Sequence, residues 1–270
     1  MKKAIYILLF IILIFSGCAT NPVTGKTSIA IIPNSMLFPM SFTQYDTFLR
    51  ENSVVRGTAE AQMLTRVGMR LADAAQKLLA AEGQPNYLSD YRWEFTLIRD
   101  NSINAWAMPG GKIVFYTGIL PVTRNETGIA VVMGHEIAHQ ILNHGQQRMS
   151  ADLLQQIGAI GVAVATSNQS PETQALIMTA YGVGSELGGT LPFSRQHEYE
   201  ADRYGLLLMA IAGYNPDEAI VFWERMSSMG GGSVPEFLST HPSDANRIRN
   251  LRNFAPEAKQ RAVTFGVTFN

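Results

Sequence analysis

Apolar residues recur at helical spacing through most of the chain and alternate clearly in one short stretch. Between Thr58 and Ala81, Met63, Val67, Leu71, Leu78 and Leu79 fall mostly on one helical face, with Glu60, Arg66, Arg70 and Asp73 between them. That spacing predicts an amphipathic helix, ended by the turn-forming run Gly83 to Asn86. From Tyr91 to Ile98, Trp93, Phe95 and Leu97 alternate with Glu94 and Thr96, the period of a strand. Met108 to Gly111 reads as a turn, Lys112 to Thr117 as a second strand, and Asn125 to His144 as a helix. Two apolar segments, Leu153 to Ala165 and Ala175 to Leu187, flank a polar loop. Each is too short to cross a bilayer, so 151–192 is expected to form a packed helical hairpin or a lid over a cleft. Further helices are expected at Glu198 to Ala212, Asp217 to Met226 and Ser243 to Phe254, with a flexible break at Gly230 to Gly232. Helix dominates and strands are few, which indicates a mainly helical α+β fold.

The first residues are of another kind. Lys2 and Lys3 precede an almost wholly apolar stretch, Ala4 to Phe15, and the small residues Ser16 and Gly17 stand before Cys18. This arrangement resembles a bacterial lipoprotein signal, in which cleavage leaves the cysteine as the acylated first residue. On that reading 1–17 is the signal peptide, 18–40 a tether and 41–270 the functional domain. Ala19 follows the cysteine, with no Asp there to suggest retention at the inner membrane, so an outer-membrane anchor facing the periplasm is expected.

Composition narrows the function. A chain that is 46% hydrophobic and 16% charged is too apolar to be disordered. Its 21 basic and 22 acidic residues give no electrostatic reason to bind nucleic acid. The single cysteine excludes an intramolecular disulfide.

The chemistry is concentrated in His135-Glu136-Ile137-Ala138-His139, an HExxH sequence. Residues four apart project from one helical face, so both imidazoles reach one metal ion, and Glu136 is placed to take a proton from the attacking water. A catalytic zinc site needs a third protein ligand. The longer HExxHxxGxxH form is absent, because Leu142 and Gly145 stand where glycine and histidine are required, and His144 is one residue short of the shared face. The remaining candidates lie in the run His197 to Asp202, where Glu198 and Asp202 share a helical face and Glu200 points roughly opposite. Position alone does not choose among Glu198, Glu200 and His197.

Taken together, HEIAH at 135–139, SRQHEYEAD at 194–202 and THPSDANRI at 240–248 resemble the zinc metallopeptidase family M48. The run NAWAMPGGKIVFYTGIL at 104–120 is similar to the strand region before that family's active-site helix. The tether CATNPVTGK is similar to that of its bacterial lipoprotein members. The resemblance implies a zincin-like (gluzincin) domain with a small sheet beside the HExxH helix. It implies one zinc ion held by His135, His139 and Glu198, Asp202 orienting a ligand, and Glu136 as general base. It also places His241 and Arg247 at the site, either as oxyanion stabilisers or with His241 moving onto the zinc and blocking it. The expected activity is hydrolysis of peptide bonds in unfolded or misassembled envelope proteins. An extended substrate is expected to pair with Lys112, Ile113, Val114 and Phe115, taken as an exposed strand edge. The alternative function is an envelope assembly factor or chaperone whose proteolysis is minor or latched off, working with envelope assembly machinery.

Overall fold

A computed structural model describes residues 17–186, 189, 191–229, 235–241 and 245–269. The leader 1–16, the Gly230–Gly232 break and the Ser243 start of the last expected helix lie outside the described residues. The described chain begins with a small hairpin, β1 (Cys18–Thr20) and β2 (Thr27–Ile29), followed by helix α1 (Asn34–Glu51). Then come β3 (Val54–Val55), α2 (Ala59–Ala81), β4 (Glu94–Ile98), β5 (Ala105–Met108) and β6 (Lys112–Tyr116). The rest is helical: α3 (Leu120–Thr123), α4 (Glu126–Ile141), α5 (His144–Ala165), α6 (Pro171–Ser185), α7 (Leu191–Ile211), α8 (Glu218–Ser228), α9 (Glu236–Thr240) and α10 (Ala245–Val263).

The sheet has the order β3-β4-β6-β5, with β4 parallel to β6 and β5 antiparallel to it. Alternate residues of a strand face opposite sides. Ile113 and Phe115 accordingly enter the main core with the leucines of α2 and the apolar run of α4. Val114 faces the other way, toward Tyr45 of α1. There the Tyr45 hydroxyl lies 2.5 Å from that of Thr96 on β4, and the Ser41 hydroxyl donates to Pro109 O at 2.7 Å. The sheet is thus held between α1 and the α2–α4 layer.

Two expectations are corrected. Lys112 to Phe115 are not an exposed edge: β6 lies between β4 and β5, and both sides of its backbone are used in pairing. Ile113, Val114 and Phe115 are wholly inaccessible, and Lys112 is buried in an ion pair with Glu94 at 2.9 Å. Among the described strands beside α4, the unpaired edge belongs to β5. Nor does 18–40 behave as a tether. The Asn21 side chain is buried and donates to Ile141 O at 3.0 Å, while Leu37 and Phe38 already lie in the folded core.

Candidate metal centre

Helix α4 starts where Asn125 Oδ1 accepts from Gly128 N at 2.9 Å, with Glu126 in the first turn favourably placed for the helix dipole. Every residue from Gly128 to Ile141 is buried, which makes α4 the central helix. Its last carbonyls, which have no partner within the helix, are taken up by side chains. Tyr91 donates to Gln140 O, Tyr87 and Asn21 both donate to Ile141 O, and Gln147 donates to Leu142 O. These contacts fix the end of the helix that carries His139.

The approach of α7 to α4 depends on two glycines. A Cβ on Gly205 would lie 3.0 Å from His135 N, and one on Gly134 would lie 3.0 Å from Gly205 O. With neither present the backbones meet, and the short Glu198 side chain reaches the imidazoles of α4. Glu198 Oε2 is 3.2 Å from His135 Nε2, Glu198 Oε1 is 3.3 Å from His139 Nε2, and the two Nε2 atoms are 3.0 Å apart. His241, at the end of α9, places Nδ1 3.1 Å from His135 Nε2 and 3.0 Å from Glu198 Oε2. The ligand atoms of His135, His139, Glu198 and His241 all lie within 4.8 Å of one another, and all four residues are buried. Three imidazoles and a carboxylate converging on a point form a nitrogen-rich donor set suited to zinc.

The groups around these donors are equally occupied. Asp202 Oδ1 is 3.0 Å from His135 Nδ1, holding the ring so that Nε2 faces the donor group. Arg247 donates to Asp202 at 2.6 Å, to Glu198 at 3.4 Å and to the His241 carbonyl at 3.2 Å, with its guanidinium 3.4 Å over the Trp223 ring. Those contacts tie Arg247 to Glu198, Asp202 and the His241 backbone at once. Burial works against a charged His135, but the hydrogen bonds its ring donates to Asp202 and Glu198 outweigh it and raise its pKa to about 9. Burial likewise pushes Glu198 up, yet the imidazoles of His241, His139 and His135 prevail and hold its carboxyl well below the usual range. Glu136 is raised by its burial, and its Oε1 has no hydrogen-bond partner, lying 3.4 Å from His241 Nε2.

One arm of the site is invisible to simple helical spacing. Asn143 adopts a left-handed conformation (φ 58°) between α4 and α5, and this break swings His144 back toward the helix it has just left. Its Nδ1 lies 2.9 Å from His139 Nδ1 and its Nε2 lies 3.3 Å from Glu200, which pairs with Lys26 of the N-terminal hairpin at 2.5 Å. His197 stacks on His144 with ring centroids 4.0 Å apart. Glu200 therefore serves the back of the second imidazole while Glu198 faces the donor group. The signal available in the sequence was the pairing of a third histidine with a second glutamate on α7.

A mainly helical α+β fold, an HExxH helix and a carboxylate from a later helix define the gluzincin class of metallopeptidase domains. The chain belongs to peptidase family M48, whose sequence profile matches residues 60–255. It is 36% identical over 191 residues to the mitochondrial metalloendopeptidase OMA1 of Schizosaccharomyces pombe, covering 70% of this chain and 53% of that protein. It is 28% identical over 262 residues to human OMA1, covering 93% of this chain and 48% of the relative. It is also 30% identical over 209 residues to the beta-barrel assembly-enhancing protease of Escherichia coli K12, covering 75% and 40%. The chain spans about half the length of the curated relatives it matches.

Proposed function

We propose that the protein is a zinc metalloendopeptidase of the cell envelope, anchored through an acylated Cys18 and cleaving unfolded or misassembled envelope proteins from the periplasmic side. The observation that carries the enzymatic reading is the convergence of His135, His139 and Glu198 beside a buried Glu136. His135, His139 and Glu198 would hold the zinc ion, which when bound would supply a Lewis acid for the peptide carbonyl and lower the pKa of the attacking water toward neutrality. Glu136, its proton affinity raised by burial, takes the proton of the attacking water and gives it to the leaving amine. Asp202 and Arg247 hold His135 and Glu198 in place, and His144 with Glu200 holds His139. An extended peptide would pair with the free edge of β5, Ala105–Met108, since β6 is unavailable.

A second reading, a latched site, is favoured by one specific observation. His241 directs Nδ1 to the ligand atoms and Nε2 to Glu136, so its ring stands where the attacking water must sit. Its segment is fastened beside the proposed substrate strand, with Phe237 N donating to Ile103 O at 3.0 Å. A protein in this state would bind clients before it cuts them, which suits an assembly factor with conditional proteolysis.

Metal analysis and casein cleavage test both readings on the parent, Glu136→Gln and His241→Ala. About one zinc per chain in all three, with cleavage lost in Glu136→Gln and increased in His241→Ala, is the expected result. No zinc in the parent would overturn the ligand assignment. Equal cleavage by the parent and His241→Ala would overturn the latch.

A further inference from the structure

Helices α5 and α6 leave the body of the protein as a hairpin in which no residue from Ala151 through Glu186 is buried. The hydrogen bonds described between α6 and the rest of the chain go to α5: Gln155 to Ser185, Tyr181 to the Gln155 carbonyl and Gln174 to the Ala163 carbonyl. The outer surface carries Ile160, Val164 and Leu176, which are 65%, 69% and 72% exposed. Between Leu153 and Ser185 the only charged side chain is Glu172. An uncharged apolar surface of this kind is unusual on a soluble face and marks a contact with an apolar partner.

What covers it is indicated by where the hairpin is rooted. Ser150 Oγ accepts from Ile31 N at 3.1 Å, and Gln146 donates to Ile32 O at 2.8 Å, so the root of α5 is pinned to the segment leaving β2. In the β1–β2 ladder Ile29 pairs with Cys18, the residue at which the apolar leader ends. Exposed Ile29, Met36 and Met40 come from this same N-terminal region. The root of the hairpin therefore lies against the segment that leads back through β2 to the anchor point.

Resting on the envelope-anchor reading above, we infer that the α5–α6 hairpin lies in the interfacial layer of a phospholipid bilayer beside the Cys18 anchor. No helix among the described residues is long and apolar enough to cross a membrane, so the hairpin lies in the boundary and does not span it. With so few charges it is held by burial of apolar area and needs no anionic lipid. The role expected from sequence, a lid, becomes that of a membrane foot that sets the orientation of the protein on its bilayer.

The test uses the full chain in phosphatidylcholine vesicles, with Ile160→Cys, Leu176→Cys or, as a control on α2, Met69→Cys labelled by an environment-sensitive fluorophore. Spin-labelled acyl chains should quench the label at 160 and 176 at least twofold, leave the label at 69 unchanged, and do so equally in high salt. An unquenched label at 160 overturns the inference. It does so whether the label stays water-like, shifts with protein concentration as a second copy would cause, or shifts only on adding a denatured client. The anchor reading is scored separately by the number of labels per chain: one if Cys18 is acylated, two if it is a free thiol. In the latter case the measurement is repeated in Cys18→Ala, where position 160 carries the one thiol. Quenching is independent of hydrolysis, so loss of the peptidase reading would leave this result standing.

Discussion

The metal centre and the α5–α6 hairpin are built on opposite terms. In the first, buried charges and imidazoles are matched: His135 by Asp202, Glu198 by Arg247, His139 by His144, and His144 by Glu200. In the second, a long apolar stretch has no buried residue and almost no charge. The contrast shows where each region gets its order. The centre is fixed by internal partners in a low-dielectric interior, where each pairing strengthens the next. The hairpin carries its apolar surface outward, so its environment completes it.

Substitution for stability draws the contrast most sharply. Phe222 is wholly buried beside Trp223 in the wall behind His135, and Phe222→Ala should cost about 3–5 kcal/mol through lost burial and the cavity left behind. Leu176→Ala removes an exposed side chain and should change stability by no more than about 0.5 kcal/mol. Thermal unfolding of the two variants checks both figures. Equal losses would mean that the hairpin is packed against the body after all.

The helix crossing comes next. Gly205→Ala puts a methyl group 3.0 Å from His135 N, where backbone cannot yield easily. Overpacking of this sort costs about 1–3 kcal/mol. Because the strain separates α7 from α4, zinc affinity should fall along with stability. Isothermal titration of the apo protein with zinc measures the first, and a variant that lost stability while keeping its affinity would show that Glu198 does not depend on the crossing.

Asp202→Asn is subtler. It keeps size and one hydrogen-bonding oxygen but removes the charge that both His135 and Arg247 contact. Loss of a group that orients a ligating imidazole lowers metal affinity by about 10–100-fold. The same substitution at Asp152, near the root of the hairpin, should leave affinity unchanged.

The HExxH pair is legible because it is written in local spacing, His139 standing four positions after His135 on one helical face. Glu198 and His241 are brought to it by chain folding, and spacing alone left Glu198, Glu200 and His197 open. The long helices were legible for the same reason, and α2 runs from Ala59 to Ala81 as its apolar stripe predicts. What failed to show was non-local. Whether a strand is an edge or an interior one depends on its neighbours, so Lys112 to Phe115 gave no sign that Ala105–Met108 would flank them. The 18–40 segment is turn-rich and looked like a tether, yet Asn21 caps α4 from a distance of 120 residues. His144 falls off the α4 face by simple counting, and only the left-handed turn at Asn143 returns it to His139.

The smallest effect lies at the other end of α4, where the charge network meets solvent. Glu126 accepts from Arg66 at 3.0 Å and from the Tyr214 hydroxyl at 2.8 Å, and these hydrogen bonds, Arg66 first, hold its carboxyl below the usual range. A carboxyl depressed in the folded state contributes stability that is fully present above its unfolded pKa and is lost as pH falls through its folded one. Glu126→Gln removes that contribution, along with the favourable charge at the helix start. At neutral pH and low salt the melting temperature should drop by about 1–3 °C. The gap between parent and variant should begin to close below about pH 4.5, the unfolded carboxylate value, and vanish once the parent's Glu126 is protonated in the folded state as well. Salt should narrow it at any pH, because both partners are partly exposed. A gap that persisted unchanged in acid and in salt would assign the effect to packing at the start of α4. The order of the active-site helix would then come from its buried end alone.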